Sequence, residues 1–348
     1  MNPTPPPAPQ AEGWLFVAAA KGLQSYVLRS DPLKEMVGAS ELIESLHRTT
    51  QGGFLSNVIS HLGFAQSYQL ISDASGAVRI RFSDHQDALR LARLWPVLAG
   101  QFAPGLEISI TVVEIGSQGI GAAIQTAERE LHVNRNRPSA DIPGAGPWVA
   151  RNRRTGLPAA RLVQALEEEE RTSKTKDAVD SESARKREAA SLTSLLQKVV
   201  PPEHHELLPR NANGRERRAR WPLDLTQLAT SDNSYVAIIH ADANGLGAAM
   251  AACVHDLPNR RDPLKLYQAL CRAIEESSVN AARTAMKEVI DATLESEEKP
   301  RPGGKNVVQP IPVRPIVCAG EDFTCVIRAS RDKTHLKMIK FSIFCLNN

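Results

Sequence analysis

Cysteine is scarce: there are five in 348 residues (Cys253, Cys271, Cys318, Cys325 and Cys345), all in the last hundred, with no CxxC pair. That distribution excludes a disulfide framework and a zinc ribbon, and it points to a reduced, cytoplasmic protein. Aromatic residues make up only 5%, so the cores must be built mainly from Leu, Ile, Val and Ala. No apolar run approaches the ~18–20 residues a membrane helix needs, which excludes a spanning protein. The Pro-rich start, Met1 to Gln10, lacks the basic and apolar regions of a signal peptide. A formal net charge of +3 is too small for a dedicated nucleic-acid coat. What is present is an ordinary globular balance, 42% hydrophobic and 23% charged, over a length that suits two or three domains.

Residues 1–12 form a Pro/Ala tail with nothing to bury, which predicts disorder. Trp14 to Ala20 reads as a buried strand. Asp31-Pro32 supplies an N-cap and a first-turn proline for a helix carrying Leu33, Met36, Val37, Ser40, Ile43 and Leu46 at helical spacing. Tyr68–Ile71 and Ala77–Phe82 flank a turn and predict a hairpin. A helix over about His85 to Phe102 and an alternating strand over Leu106–Val113 follow. Strand, helix, hairpin, helix, strand is the βαββαβ ferredoxin-like order. Residues 118–230 change character, with a helix over Ile120–Leu131, a Pro/Gly loop, and a run dense in both charges from Glu167 to Glu188. Such a run is ordinarily a solvated helix or a flexible linker. Arg210, Arg215, Arg217, Arg218 and Arg220 form a basic cluster, weak evidence by itself for phosphate contact.

Tyr235 to Ala241 is nearly continuous in apolar residues and suits a central strand buried on both faces. Asp242-Ala-Asn-Gly-Leu-Gly247 then leads into a helix from Ala248, and a long helical stretch covers Leu264–Leu294. A second hairpin follows: Arg314–Cys318, a tip at Ala319-Gly-Glu-Asp322, and Phe323–Arg328. The βαββαβ pattern thus begins again, but Ala329 to Asn348 is short for a second helix and a fourth strand. The expected fold is α+β: two ferredoxin-like (βαββαβ) domains, at 13–117 and 231–348, joined by a mostly helical linker region at 118–230. The second is incomplete, as by truncation or a frame change near Arg331.

The order of elements brings Asp242 beside Glu321 and Asp322 at one sheet edge. Carboxylates gathered there repel each other unless a cation is present, and hard oxygen ligands suit Mg²⁺ or Mn²⁺. Two such ions activate an attacking hydroxyl and stabilise a leaving pyrophosphate. Gly245 and Gly247 open a helix whose N–H groups can hold a triphosphate, and Gly320 keeps the tip clear for a nucleotide. His204 and His205 read as surface residues, His240 as a satisfied core histidine, and Cys318 and Cys325 as small core residues.

Val236-Ala-Ile-Ile-His-Ala-Asp-Ala-Asn-Gly-Leu-Gly247 with Pro315-Ile-Val-Cys-Ala-Gly-Glu-Asp-Phe323 resembles the second palm domain of the large subunit of type III CRISPR effector complexes, a family related to GGDEF-type nucleotide cyclases. Ala20–Arg29 and Glu35–Ile43 are similar to the opening of that family's first palm, and Arg153–Ala159 to its linker segment. The resemblance implies an enzyme that condenses ATP into cyclic oligoadenylate in antiviral defence, alongside other effector subunits and guide RNA. It implies Asp242, Glu321 and Asp322 as catalytic metal ligands with the Ala243 carbonyl beside them. Asn244, Gly245, Gly247, Ala319 and Gly320 would lie around the nucleotide. Ala319 stands where the family has a glycine, Glu321 where an aspartate is usual, and Asn244 where a second Asp could serve as ligand. No His-Asp nuclease motif precedes the first palm, and the linker has no cysteine for a zinc site. The first palm, with Lys21 ending its strand and one Asp in its turn, is expected to bind no metal. The alternatives are a catalytically degenerate palm protein that binds nucleotide or scaffolds a ribonucleoprotein, and a cyclase that makes a dinucleotide.

Overall fold

The computed structural model describes residues 13–49, 53–64, 68–73, 76–136, 146–164, 176–209, 220–228, 235–242, 245–298, 310–320 and 322–329. The expected tail at 1–12 and the end at 330–348 lie outside them. The fold is α+β with antiparallel sheets.

The first sheet has β1 (Trp14–Lys21) at its centre, paired with β3 (Ala77–Phe82) on one side and β4 (Glu107–Glu114) on the other; β2 (Tyr68–Ser72) completes the order β2-β3-β1-β4. The apolar run of β1 is explained by burial on both faces. Phe16 and Ala18 point into a core built with α2 (Leu33–Leu46) and α4 (His85–Phe102). Leu15, Val17 and Ala19 point the other way, onto α5 (Gly119–Arg135). The helix expected over His85–Phe102 has those bounds because Asp84 caps it, accepting from the Gln86 N–H at 3.2 Å. Asp31 does not cap α2. The helix starts after Pro32, which holds the N-cap place in extended conformation and has no side chain to offer, so Asp31 lies one residue too early. Two short helices that the periodicity did not reveal, α1 (Leu23–Leu28) and α3 (Phe54–Leu62), fill the crossover around α2.

The charged run is neither solvated nor flexible where it is described. Lys176–Val179 is a strand, β6, paired with β5 (Arg161–Gln164), and Ser181–Ala189 is a helix, α6, laid against α2 with Glu182, Lys186 and Arg187 buried. Their charges are matched within α6 and across the joint. Lys186 Nζ meets Glu182 Oε1 at 2.7 Å and the Tyr26 carbonyl at 2.5 Å, while Arg187 Nε meets Glu35 Oε1 at 2.7 Å. Closeness here depends on Gly38, where a Cβ would stand 1.7 Å from the Lys186 carbonyl oxygen. Residues 167–175 of the run, and 210–219 of the arginine cluster, lie outside the described residues.

A short helix, α7 (Ser194–Val199), and the four-residue α8 (Leu225–Leu228) precede the second sheet. That sheet has the order β7-β9-β8, from β7 (Tyr235–Ala241), β9 (Asp322–Ala329) and β8 (Val313–Ala319). Between β7 and β8 run α9 (Leu246–Asp256) and the long α10 (Pro263–Glu298). β7 is therefore an edge strand among the described residues, not a central one. Ala237 and Ile239 pack onto the core under α10, but Val236 and Ile238 on the other face are exposed, Ile238 by 70%. Ile316 and Val326, by contrast, belong to the same core as α2 and β1, so the second sheet docks on the first half through β8 and β9.

Candidate active site at the end of the β7–β9 pair

The register of β7 and β9 ends at Ala241 opposite Phe323. Asp242 is the next residue after β7 and Asp322 the first of β9, so the two carboxylates emerge at the same end of one antiparallel pair. Asp242 is exposed and Asp322 half-buried. Ala319, paired with Asp322, closes the hairpin, and Gly320 turns it with φ 60°, in the left-handed region that favours glycine. On the β7 side Gly245 has φ 78° and is the N-cap of α9. Gly247 follows in the first turn of that helix; a Cβ there would meet nothing within 4 Å, so protein packing does not require glycine at that place. Glu321, Ala243 and Asn244 lie outside the described residues. Among the described residues no group of three His, Cys, Asp or Glu side chains is gathered for a metal.

His240 is not a core histidine. It is exposed, because it shares the uncovered face of β7 with Val236 and Ile238, and its Nδ1 lies 2.8 Å from Thr324 Oγ1 on the neighbouring strand. His204 is not a surface residue: it is buried, with Nε2 2.8 Å from Asp291 Oδ1 on α10. Cys318 and Cys325 are buried and form no disulfide, and burial pushes the Cys318 thiol up to about 11. In the first sheet, the turn aspartate Asp73 is occupied by the Thr49 hydroxyl at 2.5 Å, and Lys21 pairs with Glu107 at 3.2 Å.

A cavity of about 500 Å³ reaches from the turn of the first sheet, at Asp73 and Gly76, to Ala319 at the hairpin tip. Its walls are the C-terminal part of α2, α7 and one stripe of α10. Four cations line it, Arg48, Lys198, Arg272 and Arg283, and four carboxylates face them, Glu44, Asp73, Glu275 and Glu276. Burial favours the neutral Lys198 amine, but the Glu44 and Glu275 carboxylates, each at 3.2 Å, outweigh it and hold its pKa above the usual lysine value. His47 also borders the cavity, and burial lowers its pKa to about 3, so it is neutral at pH 7. None of these groups was singled out from the sequence. The stripe on α10 was legible, since Arg272, Glu275, Glu276, Val279, Asn280 and Arg283 recur at three- and four-residue steps. Arg48 and Lys198 carry no such pattern.

No protein-family model and no curated protein matches the chain. Solved structures do. The chain is similar to a Csm1–Csm4 cassette in complex with pppApA (TM-score 0.52, 12% identity, 97% of this chain and 48% of that one). It is similar to the same cassette in complex with cA4 (TM-score 0.50, 13% identity, 96% and 48%). A third match is the Csm1–Csm4 subcomplex of the type III-A CRISPR-Csm interference complex (TM-score 0.51, 12% identity, 95% and 47%). The chain spans about half the length of the structures it matches, and at that identity the likeness concerns the fold. The family resemblance read from Val236–Gly247 and Pro315–Phe323 and the fold comparison agree: the chain has the fold of Csm1, the CRISPR-Csm subunit, over about half of that subunit's length.

Proposed function

We propose that the chain is a palm-type nucleotidyltransferase of type III CRISPR defence, joining ATP into cyclic oligoadenylate. The observation that carries this reading is the emergence of Asp242 and Asp322 at one end of the β7–β9 pair, with a cavity lined by charges of both signs that reaches Ala319 at the hairpin tip. The fold neighbours support it, since structures of that fold hold pppApA and cA4.

In this reading residues 13–117 are a first, non-catalytic palm, 118–230 a linker region, and 231–348 the second, cyclase-like palm. The order β2-β3-β1-β4 of the first sheet favours a ferredoxin-like first palm. Hard carboxylate oxygens at one strand end fit Mg²⁺ or Mn²⁺, so Asp242 and Asp322, with Glu321 and the Ala243 carbonyl, would hold the ions. When bound, they would activate the attacking ribose hydroxyl and stabilise the leaving pyrophosphate. The protein's own share is binding and orientation. Arg272 and Arg283 offer guanidinium forks to phosphate oxygens, the open backbone at Gly245 and Gly247 receives the triphosphate, and Gly320 lets a nucleotide approach the tip. Other effector subunits and guide RNA would complete the assembly.

Labelled ATP with Mn²⁺, given to the parent and to Asp242→Ala, tests the proposal: cyclic product from the parent alone is expected. A second reading, a degenerate palm that binds nucleotide or acts as a scaffold, is favoured by one observation. Ala319 lines the cavity where the resembled family has a glycine. Nucleotide binding without product would select it, and a guanine preference would select the dinucleotide cyclase instead.

A further inference from the structure

β8 carries one irregularity, three residues before the tip. Pro315 pairs with Cys325 and Val317 with Thr324, so Ile316 is an extra residue without a place in the ladder. A bulge of this kind turns two successive side chains toward one face, and Ile316 and Val317 do both join the core shared with the first sheet. It also takes a backbone carbonyl out of the ladder, and a buried carbonyl needs another donor. The Ile316 carbonyl has one in the Ser40 hydroxyl, which donates to it from the middle of α2. Ser40 is only 5% exposed, so water is a poor substitute.

The neighbouring residue strengthens the joint. Glu41, fully buried, accepts from the Ser194 N–H at 2.7 Å and the Leu195 N–H at 3.3 Å, the first turn of α7, whose own N-cap Thr193 gives no side-chain bond. Its carboxylate also attracts the buried Arg314 guanidinium of β8. Ser40 and Glu41 thus tie one turn of α2 to the strand that ends in the acidic tip.

We propose that Ser40 is a positioning residue: by holding the Ile316 bulge it fixes the register of β8 against β9 and thereby the placement of Ala319 and Gly320 against Asp322 at the tip. A strand that slips by one residue turns every side chain to the opposite face, so losing the bulge would shift Ala319 and Gly320 against Asp322, which β7 holds through β9. The consequence for turnover rests on the cyclase reading; the consequence for the hairpin does not.

The test uses the full chain and two measurements, amide hydrogen exchange and ATP turnover, in Ser40→Ala and Ser40→Thr. In Ser40→Ala, exchange over residues 313–322 should rise on the order of tenfold, as expected for one lost hydrogen bond, with β1 unchanged. Turnover should lose on the order of 10- to 100-fold in kcat, the effect of a small misplacement, at constant KM for ATP. Ser40→Thr keeps the hydroxyl and should restore both. Should Ser40→Ala fail to fold, Ser40→Cys keeps the volume while weakening the donor and gives the same reading. Unchanged exchange over 313–322, a rise spread equally through β1, or no rescue by threonine would overturn the proposal. A parent without turnover removes the cyclase reading, and the exchange measurement alone then decides whether Ser40 holds the hairpin.

Discussion

At the scale of single residues, buried charge is the feature that most constrains this chain. Lys186 and Glu182 are both almost fully buried and bonded to each other. Removing Lys186 leaves the buried Glu182 carboxylate with the exposed Arg29 guanidinium alone, 2.8 Å away, and removing Glu182 leaves the buried ammonium without its bonded carboxylate. Breaking such a pair costs up to about 3–5 kcal/mol, whereas replacing a buried pair with apolar groups of similar volume is often neutral. Lys186→Ala should therefore unfold at markedly lower urea than the parent, and the double change Lys186→Met with Glu182→Leu should recover most of the loss. Glu41 makes a prediction in pH. Burial pushes its carboxyl up to about 7, against the pull of Arg314 and two backbone N–H groups. Its folded-state pKa lies above the unfolded value of 4.5, so its contribution to stability is complete below that value and is lost as pH rises through about 7. Glu41→Gln should flatten the fall in stability between pH 5 and 8, as read from urea midpoints; a slope equal to the parent's would refute the assignment.

At the scale of elements, the sequence was informative wherever one face alone decided burial. The period-2 alternation of Ala77–Phe82 and the helical stripe within His85–Phe102 were legible because each element has one buried side. α6 was misread for a physical reason. Its charges are buried by partners such as Glu35, some 150 residues away, and no local pattern carries that information. β7 was misread for the opposite reason, since an apolar run implies neighbours on both sides and the described sheet supplies them on one. Of the candidate site, Asp242, Asp322 and the glycines were legible as strand-end and turn chemistry and Arg272 and Arg283 as part of a helical stripe, while Arg48 and Lys198 required the packing of α2, α7 and α10. Gly38→Ala should displace α6 from α2 and lower the melting temperature by several degrees, because the clash is with backbone. Arg272→Ala and Arg283→Ala should each weaken ATP binding by roughly tenfold, the loss of one charge-assisted contact. Isothermal titration checks this, and an unchanged affinity would remove α10 from the site.

At the scale of the whole molecule, the two sheets share one core through Ile316 and Val326, and the cavity lies where both hairpin tips approach α10. This shared core makes the first half a support for the carboxylates even though its own tip, with Asp73 bonded to Thr49, offers no acidic pair. Among the described residues no helix is long and apolar enough to cross a membrane. The most direct measurement of the central claim is product formation from labelled ATP with Mn²⁺ by the parent and Asp242→Ala, resolved by chromatography. The account predicts cyclic oligoadenylate from the parent and none from the variant at equal folding. Equal product from both would contradict it.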